Sequence, residues 1–235
     1  MKERPILFSA SMVRALLGGS KTQTRRAMRF QPSDDATVHV EKFHQTVIDR
    51  HGGEQPGPEL FGAWWNDGES GLRCPYGQPG DRLWVKETTL KVEDAGWSGP
   101  VYVASDAGQQ ALEWGYGESD DPDHIEPFAL KKRSSLFMTR VMSRITLEIT
   151  NVRVERLQDI SEADAVAEGI VRQPDDGYGL ADTTHYHSAD PRMSYWSLWE
   201  AINGVGSLEA NPWVWAISFK RIAAPTSPTP EADHD

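Results

Sequence analysis

Along "RITLEITNVRVERL" (144–157) apolar and polar positions alternate, with Ile145, Leu147 and Ile149 against Thr146, Glu148 and Thr150. The period of two predicts a half-buried strand. Asn151, after which Val152 and Val154 alternate with Arg153 and Glu155, predicts a bend within it. "NPWVWAISFKRI" (211–222) predicts a final strand carrying Trp213, Trp215, Ile217 and Phe219 on one side. "GDRLWVKET" predicts a turn and then a strand from Arg82 to Thr88, and "PVYVASD" another from Pro100 to Asp106. Helical spacing is confined to three short pieces. Ser9 caps the first, with Met12, Val13, Leu16 and Leu17 on one face and Gly18 as a left-handed stop. Ser161 caps the second in "DISEADAVAEGI", with Asp164 at the third helical position and Gly169 ending two turns. The third is "SYWSLWEAING", stopped by Asn203-Gly204, with Trp196 and Trp199 on one face.

Elsewhere periodicity is weak. Residues 31–80 hold turn signals such as Gly52-Gly53 and Pro56-Gly57-Pro58, and 107–130 are rich in Gly, Asp and Glu. Both are predicted as loop-rich insertions too poor in apolar residues for a core of their own, and 172–192 as loop. The Pro-rich acidic stretch 223–235 is predicted to be disordered. Many strands, few helices and no βαβ rhythm predict an α+β, mostly β chain. It is read as a single domain over 1–222, a small antiparallel barrel with two or three short helices.

Of 235 residues 38% are hydrophobic and 25% charged, as in ordinary globular chains. No apolar run approaches the roughly 18 residues of a membrane span. Arg14 interrupts the cationic-then-apolar start, which is read as mature sequence, so a cytoplasmic setting is expected. The lone Cys74 allows no internal disulfide and fits a reducing compartment. Net charge is -11, but it is unevenly placed. Residues 1–30 hold seven cations against Glu3 alone, and 131–156 hold seven against Glu148 and Glu155. Residues 91–130 hold nine acids against Lys91. This division suggests either a local site for an anionic ligand or solvated faces of alternating sign.

No phosphate loop, dinucleotide fingerprint, nucleophile elbow or zinc-protease motif is present. His185 and His187 lack partners at metal-site spacing, as do His39, His44 and His51, so no metal or cofactor is expected. Cys74, followed by Pro75 in a turn-rich stretch, makes a poor nucleophile. What remains is "GGSKTQTRR" (18–26), where Lys21 and Thr24 stand three apart beside Arg25 and Arg26. A threonine hydroxyl needs a base, and a lysine becomes one only when burial or nearby cations lower its pKa. The same residues could equally be a basic loop gripping phosphate without chemistry. Glu87 is a second candidate acid. Trp84 could stack a base, and Arg140, Ser143 and Arg144 in "MTRVMSRI" could contact phosphates.

"LLGGSKTQTRR", "GDRLWVKE", "RITLEITNVRVERLQDISEADAVAEGI" and "NPWVWAISF" together resemble the ASCH-domain family of the PUA-like superfamily, above all its larger phage and prophage members. The resemblance covers 5–30, 78–90 and 135–222. It implies a small β-barrel whose cleft binds RNA, nucleosides or modified bases, in a monomer working in the cytoplasm (the host's, if phage-encoded) with no membrane contact. One compact branch of the family removes the acetyl group of N4-acetylcytidine with a lysine, threonine and glutamate. These fall here on Lys21, Thr24 and Glu168, with Arg25 or Arg26 countering the ligand. Lys21 would assist proton transfer, Thr24 attack or position water, and Glu168 act as acid or base. The alternatives are a non-catalytic module for RNA or modified DNA and, more weakly, a ribonuclease.

Overall fold

The computed structural model describes residues 1–66, 70–96, 99–180 and 188–222. The chain runs β1 (Glu3–Leu7), α1 (Ala10–Leu17), β2 (Gln23–Ala27), β3 (His39–Ile48), β4 (Glu54–Trp65), β5 (Ser70–Arg73), β6 (Arg82–Lys86) and β7 (Thr89–Lys91). It continues through β8 (Val101–Tyr102), α2 (Asp106–Trp114), β9 (Lys131–Arg133), β10 (Thr146–Arg156), α3 (Glu162–Ala167), β11 (Ile170–Arg172), β12 (Tyr178–Leu180), α4 (Pro191–Asn203) and β13 (Trp213–Ile222). The architecture is therefore α+β and mostly strand, with four α-helices among the described residues. None of these helices is long and apolar enough to cross a membrane.

A five-stranded sheet in the order β1-β6-β10-β13-β2 forms the centre. Only β1 and β6 run parallel; the other neighbours are antiparallel. The described strands do not close into a barrel, and β1 and β2 are the sheet's two edges. The alternation read along 144–157 holds: Leu147 and Ile149 are fully buried, and the register with β13 shifts between Ile149 and Asn151, where the bend was expected. A bulge there re-aims the second half of the strand. On β13 burial exceeds the one-sided expectation, because Val214 and Ala216 are buried as well as Trp215 and Ile217.

The caps were legible. Ser9 accepts the Met12 amide, and Ser161 accepts the Asp164 amide. The first stop was placed one residue early: Gly18 keeps a helical φ of -75°, and Gly19 at φ +80° makes the left-handed turn. The 31–80 stretch is not loop-rich. It folds into an antiparallel β3-β4-β5 sheet that packs on the central core through Ala63 and Trp65. The strand expected over Pro100–Asp106 is only β8, after which α2 begins. Leu90, Val92, Val101, Val103 and Ala111 there form a second buried cluster, so the 107–130 stretch contributes to a small core. Residues 172–192 include the β11-β12 hairpin and the start of α4, not loop alone. The strand begun at Arg82 stops at Lys86. The 223–235 tail and the pair His185 and His187 lie outside the described residues.

Candidate active site

After α1 the chain turns back at Gly19 and enters β2 along the edge of β13. Thr24 pairs with Ile217 and Arg25 with Ala216. Alternation along β2 sends Gln23 and Arg25 to the same face, toward β10 and α3. The end of α3 is drawn to this edge by its backbone: the Thr22 amide donates to the Ala167 carbonyl at 2.8 Å, and Lys21 and Glu168 form an antiparallel bridge. Gly169, at φ +99°, turns the chain away immediately afterwards. A Cβ there would stand 3.1 Å from the Ala15 methyl and 3.3 Å from Lys21, so the tight approach depends on glycine.

The result is a buried ion network. Lys21 Nζ donates to Glu168 Oε2 at 2.8 Å and to the Glu168 carbonyl oxygen at 2.7 Å. Both side chains are at most 2% exposed. Arg25, also buried, donates to the other Glu168 oxygen at 3.2 Å, to Gln23 Oε1 at 2.6 Å, to Glu155 and to Asp164. Arg153 reaches Asp164 at 2.9 Å and Glu155 at 3.3 Å from the solvent side. Three cations thus face three carboxylates, and Gln23 ties Asp164 to Ser218 on β13. Such burial is tolerable only because each charge has an opposite partner and further hydrogen bonds.

Burial pushes the Lys21 ammonium below its ordinary value, against the pull of Glu168; Arg26 and Arg25 add only smaller pushes in the same direction. The arginine crowding inferred from the sequence is therefore the minor cause. For Arg25 burial acts downward, but Glu168 and Glu155 outweigh it and hold the guanidinium above its usual range. Burial would raise the Asp164 carboxyl, yet Arg25 and Arg153 keep it below its usual value.

A cleft of about 440 Å³, counted with its open mouth, lies beside this network. Thr24, Arg25, Arg26, Ala27 and Glu168 form its polar side, and Met12 with Tyr195, Leu198, Trp199, Ile202 and Asn203 of α4 forms the other. Lys21 and Arg26 both lie against the Phe8 ring, at 5.5 and 5.3 Å from its centroid. Lys21 and Glu168 are thus in direct contact, and Thr24 and Glu168 both line the cleft. Glu168, which sequence alone would leave exposed in a last helical turn, is 2% exposed.

The remaining sequence candidates lie elsewhere or have other duties. Arg25 does not face a ligand alone; carboxylates of this chain hold it. Trp84 is not beside the cleft: β6 is separated from β2 by two strands, about 14 Å at ordinary strand spacing. Glu87 is 1% exposed and bound at both oxygens by Arg144, at 2.9 Å each, while the Arg144 guanidinium stacks 4.0 Å from the Tyr102 ring. Arg140 pairs with Glu3 at 2.9 Å, and Ser143 donates to the Val85 carbonyl at 2.8 Å. These bonds brace the start of β10.

Sequence reading missed Glu155, Asp164, Gln23 and Tyr195 as parts of the site. Glu155 sits on a strand face whose alternation was legible, whereas Gln23 lies on β2, a strand within the stretch read as a loop; their partners Arg25 and Asp164 are 130 or more residues away. Among the described residues no group of three or more His, Cys, Asp or Glu could hold a metal ion. Burial raises the Cys74 thiol, which makes it a weaker nucleophile. Comparison with family models, curated proteins and solved structures finds no match to this chain.

Proposed function

We propose that this chain is an ASCH-type, PUA-like protein whose cleft binds a modified nucleobase or nucleoside and hydrolyses an N-acyl amide such as that of N4-acetylcytidine. The central sheet with α1, α3 and α4 would be the family's core, within one domain over 1–222, and the 31–80 and 107–130 stretches its additions. A monomer in the cytoplasm goes with this reading. One observation carries it: a buried amine and carboxylate in contact at 2.8 Å beside a cleft that Thr24 and Glu168 both line.

The contact suits amide hydrolysis because one proton shift prepares both catalysts. Moving a proton from Lys21 Nζ to Glu168 Oε2 yields a neutral amine and a neutral carboxylic acid. Burial, which disfavours the Lys21 ammonium, narrows the gap between the two forms. The amine takes the Thr24 hydroxyl proton as the oxygen attacks the acyl carbon. The carboxylic acid then protonates the departing ring amine as the C–N bond breaks. Water attacks the acyl-threonine, gives a proton to the Glu168 carboxylate, and the threonine oxygen recovers its proton from Lys21. The acid is released and the starting protonation returns.

The test is to incubate purified protein with N4-acetylcytidine and separate cytidine and acetate by chromatography. Lys21→Ala and Glu168→Gln should each lower the rate by at least about 100-fold. Turnover that survives both unchanged removes the assignment. A second reading, a binding module without chemistry, is favoured by the closure of the ion network, since Lys21 and Glu168 each already have partners. It predicts a bound nucleoside and no product. Nuclease action has no supporting observation.

A further inference from the structure

The cleft contains two donors that the nucleophilic chemistry does not use. Arg26 Nε and Trp199 Nε1 are both buried, neither has a hydrogen-bond partner in the protein, and both belong to residues lining the cleft. Trp199 is 5% exposed. Its indole stands one helical turn beyond Tyr195, whose ring lies 6.4 Å away and 5.9 Å from the Arg25 guanidinium. The Asn203 side chain, one turn further along α4, donates to the Trp199 carbonyl. Arg26 donates from Nη2 to the Leu7 carbonyl and is in no ion pair among the described residues, unlike Arg25.

A buried donor left without an acceptor destabilises a fold, because it has lost water and gained nothing in return. Two of them on one cleft favour a ligand that brings acceptors. Acceptor capacity in the wall itself is scarce, because both Glu168 oxygens already receive protons from Lys21 and Arg25. Opposite the polar side stand the apolar side chains of Met12, Leu198 and Ile202. The slot is lined by apolar side chains and carries one unpartnered donor on each wall, Arg26 on the β2 side and Trp199 on α4. It suits a planar ring with a carbonyl or imine acceptor on its edge and disfavours a ring edge made only of donors.

Resting on the nucleoside reading above, we propose that Trp199 is a specificity-determining residue, whose indole N–H donates to a ring acceptor of the bound base while Arg26 Nε donates to a neighbouring acceptor. A pyrimidine carrying a ring carbonyl next to an unprotonated ring nitrogen presents such a pair. The acyl group on its exocyclic amine would then point to Thr24. Recognition lies on α4 and attack on β2.

Indole signals in a two-dimensional proton–nitrogen spectrum of the intact protein provide the readout, with the Trp199 signal assigned by its loss in Trp199→Phe. Titration with N4-acetylcytidine and cytidine should shift the Trp199 indole proton downfield, with a smaller shift for uridine, whose corresponding ring nitrogen carries a proton, and leave the Trp84 indole unmoved. Trp199→Phe, checked for folding by circular dichroism, should weaken binding about tenfold, as loss of one hydrogen bond does. If turnover is present, KM should rise with kcat nearly unchanged. Failure of all three probes to move the signal overturns the proposal, as does a folded Trp199→Phe that binds like the parent. Binding with the expected shift but no deacylation would remove the hydrolase reading and leave Trp199 in its role.

Discussion

At the scale of single residues the decisive fact is that the same side chains could be either a catalytic pair or a structural rivet. Lys21 and Glu168 separate these roles because apolar replacements satisfy one and not the other. Removing one partner of a buried ion pair destabilises by about 3–5 kcal/mol, whereas replacing both with apolar groups of similar size is often neutral. Lys21→Met should therefore lower the melting temperature sharply. The double variant Lys21→Met, Glu168→Leu should regain most of that loss by calorimetry while showing no deacylation of N4-acetylcytidine. A double variant no more stable than the single one would mean that Arg25, left facing only Glu155 and Asp164, depends on Glu168 more than Lys21 does. Little of this pairing could be read from the chain. Lys21, Thr24 and Glu168 were found through a motif, but the carboxylates that neutralise Arg25 lie 130 to 143 positions away and leave no local pattern.

Elements were legible in proportion to how one-sided their burial is. β10 shows a regular alternation over its first half because one face is core and the other is not, and α1 and α3 carry both an apolar face and a cap. β3 was invisible for the opposite reason: none of its ten residues is buried, so no period marks it. α2 was missed because it meets its neighbours with small residues, Gly108 and Ala111, which leave no apolar stripe. That contact is close enough to test. A Cβ on Gly108 would lie 2.0 Å from the Tyr102 carbonyl oxygen. Gly108→Ala should push α2 off β8 at about 1–3 kcal/mol, the usual range for overpacking. Hydrogen exchange should then show the α2 amides losing protection while those of β10 and β13 keep theirs. Equal protection in the two proteins would mean that the helix shifts without loss.

For the molecule as a whole, the charge division along the chain has a different meaning from the one its composition suggests. The basic segment 131–156 is mostly neutralised from elsewhere: Arg133 by Glu93, Arg140 by Glu3, Arg144 by Glu87, Arg153 by Asp164 and Arg156 by Asp34. Lys131 and Lys132 are in none of the ion pairs of the described residues. With only these two cations to offer there, a polyanion should bind weakly. Anisotropy of a labelled oligouridylate should give a log–log salt slope no steeper than about -1.4, two phosphate contacts at roughly 0.7 each. A much steeper slope would point to a phosphate track and revive the RNA-binding reading. The order of the central sheet also bears on how the chain is made. β13, at residues 213–222, lies between β10 and β2 and is the sheet partner of β2 among the described residues. β2, made early, therefore waits about 190 residues for its strand partner. Until β13 is made, the nascent chain carries an unmatched β2 and an unclosed set of opposite charges.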